Sequence, residues 1–378
     1  MSVTLPDKEA RMATRRELLQ WATALITLPA LGRAQSATGR ARKPLDLLFL
    51  GGTGFLGPHQ VEYALARGHK VTLFNRGKSG PSLFGDRVEV LLGDRDANTA
   101  PGLAALQGTR RWDVVIDNSG YVPRHVRDSI DLLKERCGRY LYVSTVAVYD
   151  VAAGTRFDEK SPLRAAPNPA TEEVTGESYG PLKAECDRIV QAALGKQATI
   201  VRPTYIVGPG DDSDRFTYWV ERMARGGEVL GPPTPKAELQ WIDVRDLCPW
   251  IVDLAERDQP GIYNAAGPAT PMTWEQVLPA LAKGSAQPAK IRWATNEVMD
   301  KTGIKLPLVR QPYFKGVDSL HFDSAAGQAA GLRFRSLADT AAATSAWWRA
   351  QPEERRAKPW GWPTEAQEQE ALKLLWAG

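Results

Sequence analysis

Cysteine, histidine and long apolar runs are all scarce in this chain of 378 residues. Three cysteines (Cys137, Cys186 and Cys248) are an odd number, and no two of them have the spacing of a metal site. The four histidines, His59, His69, His125 and His321, form no cluster along the sequence. We therefore predict no metal, and no cysteine is a candidate nucleophile or ligand.

The excess of positive over negative charge is also small. The formal net charge is +4, and residues 1–36 hold five basic and three acidic groups, so only +2 remains for the rest. A balance so close to zero argues against nucleic acid as a partner. Outside the N-terminal segment no apolar stretch is long enough to span a bilayer, so we predict no stable membrane anchoring.

Glycine is plentiful where a strand gives way to a helix. The apolar run Leu45–Leu50 predicts a strand buried on both faces, and it is followed by Gly51-Gly-Thr-Gly-Phe-Leu-Gly57 and a helix over about 56–67. The glycines permit a tight turn, close approach of a pyrophosphate and close packing of helix on strand. The helix N-terminus favours phosphate binding. The motif predicts a dinucleotide site.

The end of the second strand selects the cofactor, because an acid there would bind the ribose hydroxyls of NAD. This chain has Asn75-Arg76-Gly77 instead. Arg76 is able to pair with the 2′-phosphate of NADP, which we slightly favour, or to lie across the adenine of either cofactor. Asp94, after the third strand, is placed to meet the adenine or to cap a turn.

Tyr179 and Lys183 are four residues apart and share one face of a predicted helix. An ammonium beside a phenol favours the phenolate, so Lys183 is expected to lower the pKa of Tyr179. A Tyr tuned in this way exchanges a proton with a substrate hydroxyl or carbonyl while hydride moves elsewhere. Pro181 fits the first turn of that helix.

Strands alternate with helices from 44 onward, which predicts an α/β fold with a doubly wound parallel Rossmann sheet. The chain resembles the extended short-chain dehydrogenase/reductases, the family of NAD-dependent epimerases and dehydratases, over about 45–348. Within them it resembles the bacterial isoflavone-reductase-like branch. The pieces that carry the resemblance are 51–57, 143–149, 179–183, 201–210, 241–246 and 263–267.

The resemblance implies roles at matching positions. Tyr179 is the expected acid/base, Lys183 binds the nicotinamide ribose, and Thr145, with Ser144 as its neighbour, stabilises charge on the reacting oxygen; otherwise Thr145 only ends a strand. The expected cofactor contacts are Gly51, Gly52, Thr53, Gly54, Phe55, Leu56, Gly57, Asn75, Arg76, Asp94, Asn118, Ser119, Gly120, Lys183, Pro203 and Thr204.

Two departures limit what the resemblance implies. Val146 and Ala147 stand where the family's dehydratases place an acidic pair, so simple dehydration is disfavoured. The sequence Asp117-Asn-Ser-Gly-Tyr121 replaces a common His-x-Ala-Ala pattern, so substrate contacts carried from that pattern are not adopted.

The expected organisation has four parts: an export signal at 1–36, the Rossmann domain at 44–207 with returning segments near 239–267, a smaller substrate-binding lobe mainly at 208–345, and a tail at 346–378. The tryptophans at 347–376 predict that this tail packs on the body. The Pro-rich segment 150–177 is predicted to form a long loop over the active site. Candidate substrate contacts are Tyr121, Arg215, Tyr218 and Arg310. The helix that carries Arg215, Tyr218 and Trp219 has an alternative interpretation. In that case the acidic residues at its start only cap the helix, and its side chains do not face the substrate.

Thr14-Arg-Arg-Glu-Leu-Leu-Gln20, an apolar core at 21–32 and small residues near 34–37 resemble a twin-arginine signal. We predict export to the periplasm by the twin-arginine machinery, with an amphipathic N-terminal helix of a cytoplasmic enzyme as the alternative. Export would favour a redox-neutral epimerase that keeps its cofactor. The alternatives are a one-way NADPH-dependent reductase and a non-catalytic cofactor-sensing or RNA-binding relative. The expected substrate is a small molecule. Two copies of the chain could also pair as a homodimer.

Overall fold

The computed structural model describes residues 39–309 and 319–377. The predicted export signal and the candidate substrate contact Arg310 lie outside these described residues. Within them no helix is both long and apolar enough to cross a bilayer.

A seven-stranded sheet, parallel throughout, forms the centre of the first domain, with strand order β3-β2-β1-β4-β5-β7-β11. This confirms the predicted doubly wound Rossmann sheet. Its strands are β1 (Asp46–Leu50), β2 (Lys70–Asn75), β3 (Glu89–Leu92), β4 (Trp112–Asp117), β5 (Cys137–Val143), β7 (Ala198–Pro203) and β11 (Gly261–Ala265).

Helices cover both faces of this sheet. Successive side chains of a strand point to opposite sides, so each strand contributes to the apolar core on both faces. Leu47 and Phe49 of β1 join one apolar cluster, and Leu48 and Leu50 join another. The first cluster lies under α1 (Leu56–Arg67) and α5 (Val244–Glu256), and the second under α2 (Pro123–Leu133) and α3 (Tyr179–Leu194). The chain reverses direction on the sheet between β1 and β4, so a crevice opens at their carboxyl ends.

A second apolar core lies in the region after Val207 and is rich in aromatic rings, among them Phe216, Trp219, Trp241 and Trp274. Its strands are β8 (Tyr205–Val207), β10 (Glu238–Asp243) and β12 (Gly267–Thr273) in one sheet and β9 (Gly227–Gly231) with β13 (Ala289–Trp293) in another. Its helices are α4 (Arg215–Arg225), α6 (Trp274–Leu281), α7 (Asn296–Thr302), α9 (Leu337–Arg349) and α11 (Glu365–Ala377).

Short elements complete the described residues: β6 (Arg156–Phe157) pairs with β14 (His321–Phe322), and α8 (Ala325–Ala329) and α10 (Glu353–Ala357) connect longer segments. The β6–β14 pair lies on Tyr149, whose ring stacks on Phe157 at 5.3 Å and on Phe322 at 5.9 Å. The Pro-rich segment predicted to be one long loop therefore contains a strand.

The C-terminal segment packs on the lobe through aromatic rings. Trp348 and Trp362 lie 5.3 Å apart, and Trp362 contacts Tyr218 at 5.6 Å. Trp376 is 61% exposed, with Arg292 stacked over its ring at 4.2 Å. Most of the tail tryptophans therefore serve packing within this part of the molecule.

Candidate active site

The glycine turn between β1 and α1 has the shape that a dinucleotide requires. Gly51 and Gly52 have φ values of +106° and +110°, which residues with a side chain rarely adopt. A Cβ on Gly57 would lie 2.1 Å from the carbonyl carbon of Gly52, so close packing requires glycine there. A Cβ on Gly54 would meet nothing within 4 Å, so this backbone faces open space. The turn fits a bound pyrophosphate, with Thr53, Phe55 and Leu56 leading into the helix.

The carboxyl end of β4 is held by a buried ion pair that the sequence did not reveal. Arg95 donates to both carboxylate oxygens of Asp117 at 2.6 and 3.0 Å, and Tyr140 donates to the same group at 2.7 Å. Burial opposes ionisation of Asp117, but the charge of Arg95 and the hydrogen bonds that the carboxylate accepts together keep its pKa below the usual value. The backbone that follows, Asn118 to Gly120, is thereby fixed beside the glycine turn.

Three predicted cofactor residues lie on that segment. Asn118 exchanges hydrogen bonds with Gln60 of α1, and Ser119 donates from Oγ to the Leu50 carbonyl at 3.0 Å. A Cβ on Gly120 would lie 2.7 Å from the Tyr142 ring, so glycine is required for packing. The structure thus brings the ends of β1 and β4 together.

Asn75 and Arg76 follow β2 at the other end of the crevice. Asn75 Oδ1 accepts a hydrogen bond from Gly77 N at 2.8 Å, which shapes the turn. Arg76 is partly exposed and forms no hydrogen bond or ion pair with the described residues. Asp94 Oδ1 accepts from Asp96 N at 3.0 Å, the turn-capping arrangement that the sequence left open.

Lys183 is buried deeply and holds two backbone carbonyls. Its Nζ donates to Gly120 O and Val143 O, both at 2.8 Å, and lies 4.2 Å from the centroid of the Tyr142 ring. Burial lowers the pKa of Lys183. The ammonium therefore ties the ends of β4 and β5 together beneath the crevice.

Tyr179 is half-buried at the start of α3. A Cβ on the next residue, Gly180, would lie 2.5 Å from Ala147 O, so the helix begins directly on the turn that follows Thr145. Burial raises the pKa of Tyr179, and the groups that oppose this rise are the Thr145 hydroxyl and the charge of Arg215. Lys183 is not among the main influences, so the expectation that it lowers this pKa is not met in this geometry. In this geometry burial favours the neutral phenol.

Thr145 and Ser144 have different surroundings. Thr145 Oγ1 also accepts a hydrogen bond from Ala147 N at 3.2 Å, so the hydroxyl is fixed at the end of β5 beside Tyr179. Ser144 is buried beside Asp187, which pairs with Arg202 at 2.8 Å. Of the two hydroxyls, that of Thr145 is the one at the crevice, and Ser144 belongs to the buried polar layer beneath it.

The remaining predicted residues divide between the site and the lobe core. Pro203 ends β7, and Thr204 N donates to Ala265 O at 3.1 Å. Tyr121 is 47% exposed, and its ring lies 6.3 Å from that of Tyr179. Tyr218 is only 2% exposed and packs on Trp219 at 4.9 Å. The expectation that Tyr218 contacts substrate is therefore wrong, because its face of α4 is the inner one.

One group of possible metal ligands escaped the sequence reasoning. Ligand atoms of Asp96, His125 and Glu172 lie within 4.8 Å of one another. Arg124 donates to Asp96 at 2.8 Å and to Glu172 at 2.5 Å, so a guanidinium already balances both carboxylates. The group joins the loop before α3 to α2, and we assign it no metal.

The fold and the site together define a dinucleotide-dependent enzyme of the short-chain dehydrogenase type. A profile of the NAD dependent epimerase/dehydratase family matches residues 47–266, and the chain belongs to that family. It is an NAD-dependent enzyme with a Rossmann sheet.

Individual proteins of known sequence or structure are more distantly similar. The chain is 26% identical over 291 residues to the chloroplast stem-loop binding protein of 41 kDa b of Arabidopsis thaliana, and the aligned region covers 72% of each chain. It is 25% identical over 256 residues to the epimerase family protein SDR39U1 of Bos taurus, covering 65% of this chain and 83% of that protein. The fold is similar to that of the enzyme WbmH of Bordetella bronchiseptica, solved with NAD+, with a TM-score of 0.58 and 19% identity over 81% of this chain and 98% of the other.

Proposed function

We propose that this chain is an epimerase or oxidoreductase that acts on a secondary alcohol or ketone of a carbohydrate-like or aromatic small molecule. The observation that carries the proposal is the position of Tyr179, at the helix start that packs on the turn after Thr145, in a crevice that also holds Lys183 and the glycine turn. The family and the epimerase relative support the reaction class. Val146 and Ala147 after Thr145 supply no acid, which disfavours elimination of water.

The residues of the chain divide the work as follows. NAD, when bound, supplies a nicotinamide ring that exchanges hydride with the substrate carbon. Tyr179 donates a proton to the substrate oxygen from its hydroxyl and takes it back in the reverse direction. Thr145 donates a hydrogen bond as negative charge develops on that oxygen. Lys183 holds the ends of β4 and β5 at a fixed distance and is the residue that would hold the nicotinamide ribose.

The preference between cofactors rests on Arg76. Its guanidinium has no partner among the described residues and follows β2 directly, where an acid would otherwise bind the ribose hydroxyls. This favours NADP slightly, because a guanidinium pairs well with a 2′-phosphate. Comparison of the two dissociation constants, before and after Arg76→Ala, tests the preference.

Export to the periplasm is a further part of the proposal and rests on the twin-arginine pattern at the N-terminus. A cofactor lost outside the cytoplasm would not be replaced, so tightly held dinucleotide and a redox-neutral epimerisation fit export. Native mass spectrometry of protein from the periplasmic fraction reports signal cleavage, bound dinucleotide and oligomeric state together. Intact precursor confined to the cytoplasm would contradict export, and a cofactor that washes off would favour the one-way reductase.

Tyr179→Phe tests the chemistry. The variant keeps the ring but loses the only proton-exchanging atom, so we expect turnover to fall by about 10²–10⁴ while the NAD dissociation constant stays within twofold. Tyr63→Phe, whose lost hydroxyl donates to Asp253 between α1 and α5, is the control and should retain most of the activity. Normal turnover in Tyr179→Phe would refute the assignment, whereas wild-type protein that binds NAD and turns over no substrate would favour the stem-loop-binding type of relative.

A further inference from the structure

The first residue of α4 is held in place by the C-terminal segment. Asp214, which precedes it, is fully buried with φ +53°. Its carboxylate accepts hydrogen bonds from Arg355 Nη2 at 2.7 Å and Trp360 N at 2.8 Å. These contacts fix where the helix begins and therefore where Arg215 leaves the backbone.

The side chain of Arg215 is positioned by two further contacts. Its Nε donates to Ser213 Oγ at 2.9 Å, and that hydroxyl in turn donates to Asp211. Its guanidinium carbon lies 5.3 Å from the centroid of the Tyr205 ring. Burial raises the pKa of Asp211 to about 6, so at neutral pH the carboxylate is largely ionised and accepts from Ser213.

The far end of the guanidinium is unused. The two terminal nitrogens of Arg215 donate to none of the described residues, although the side chain is partly buried and held from behind. A fork of N–H groups fixed in this way matches the two oxygens of a carboxylate or phosphate. A guanidinium needed only to balance Asp211 would contact that carboxylate directly, whereas here Ser213 lies between them.

The segment that leads to Arg215 borders the crevice. His59 Nε2 of α1 lies 2.9 Å from Pro209 O, and Tyr205, against which the guanidinium packs, follows Pro203 and Thr204 directly. In keeping with this position, the charge of Arg215 is one of the two influences that lower the pKa of Tyr179. An anion bound to the fork would therefore lie on the crevice side of the lobe.

We infer that Arg215 binds an anionic group of the substrate, so that the substrate is an acidic hydroxy or keto compound rather than a neutral one. Ser213 and Asp211 position the guanidinium and do not touch the substrate. The inference rests on the proposed function, because it assigns the substrate class for the crevice that holds Tyr179. A carboxylate and a phosphate share the chemistry that the fork recognises.

The test measures binding of three related ligands to the NAD-loaded full-length protein by isothermal titration: D-glucuronate with a carboxylate, glucose 6-phosphate with a phosphate, and neutral D-glucose. We expect at least one charged ligand to bind wild-type protein about tenfold or more tightly than glucose, because charge-assisted bidentate hydrogen bonds are strong. Whichever charged ligand shows the preference identifies the anion.

Variants separate the proposed role from general damage. Arg215→Met should abolish the preference for the charged ligand and leave weak glucose binding unchanged, while Ser213→Ala should reduce the preference about threefold through lost positioning. Arg225→Met, at the exposed end of the same helix, should behave as wild type. Equal binding of the charged ligand to wild type and Arg215→Met, or no binding of either charged ligand to wild type, would overturn the inference. NAD binding and the Tyr179→Phe result are measured separately, so failure here is distinguishable from failure of the proposed function.

Discussion

Residues at the carboxyl ends of the strands show how burial and hydrogen bonds divide the chemical roles. Thr145 and Tyr179 are 34 positions apart in sequence, yet they come together because α3 begins on the turn that follows β5. The spacing of Tyr179 and Lys183 identified the pair from sequence. The spacing did not reveal that the Lys183 ammonium would donate to the carbonyl oxygens of Gly120 and Val143, because those partners come from other strands.

A substitution at Thr145 tests this division at the level of one hydroxyl. Thr145→Val should lower kcat about 10–10³-fold, because a hydrogen bond to the developing oxyanion is lost. Thr145→Ser keeps the hydroxyl, so it is the control and should retain the wild-type rate. An unchanged kcat in Thr145→Val would contradict the assigned role.

At the scale of elements, local pattern and long-range packing were predictable to different degrees. The helix predicted over about 56–67 and the strand predicted over Leu45–Leu50 follow from periodicity and glycine placement, and the structure has α1 at Leu56–Arg67 and β1 at Asp46–Leu50. The small strands β6 and β14 and the start of α4 were not predictable, because each depends on partners far along the chain: β6 pairs with β14, and Asp214 is held by Arg355 and Trp360. The inward face of Tyr218 escaped prediction for the same reason.

Two glycines of the same turn give a matched test of the phosphate cradle. Gly57→Ala should lower the melting temperature by several degrees and abolish NAD binding, since its Cβ would overlap the backbone of Gly52. Gly54→Ala should leave the melting temperature within about one degree, because its Cβ meets no protein atom. It should nevertheless weaken NAD binding, because the methyl group enters the space that the diphosphate needs. Tight NAD binding by Gly54→Ala would place the diphosphate elsewhere.

For the whole molecule, the C-terminal segment completes the lobe, and its role was only partly legible in the sequence. The tryptophans at 347–376 indicated packing on the body, and Trp348 and Trp362 do so. No pattern indicated that Glu368 would lie beneath β9. There it accepts from Arg222 Nε at 2.8 Å and from Leu230 N at 3.0 Å. Ion pairs between elements more than a hundred residues apart leave no periodic signal in one sequence.

This buried pair predicts how the tail supports the substrate lobe. Glu368→Gln leaves the Arg222 charge buried without a counter-ion, so unfolding should become easier by about 3 kcal/mol, the scale for breaking a buried pair. Glu365→Gln, one turn earlier and exposed, is the matched control and should change stability by less than about 0.5 kcal/mol. Chemical denaturation followed by tryptophan fluorescence measures both. Because Arg222 and Arg215 lie on the same helix, the loosened lobe should lose affinity for charged ligands before it loses NAD, whose site is on the Rossmann sheet. A variant that unfolds no more easily than Glu365→Gln, or that loses NAD first, would show that the tail does not hold the lobe in this way.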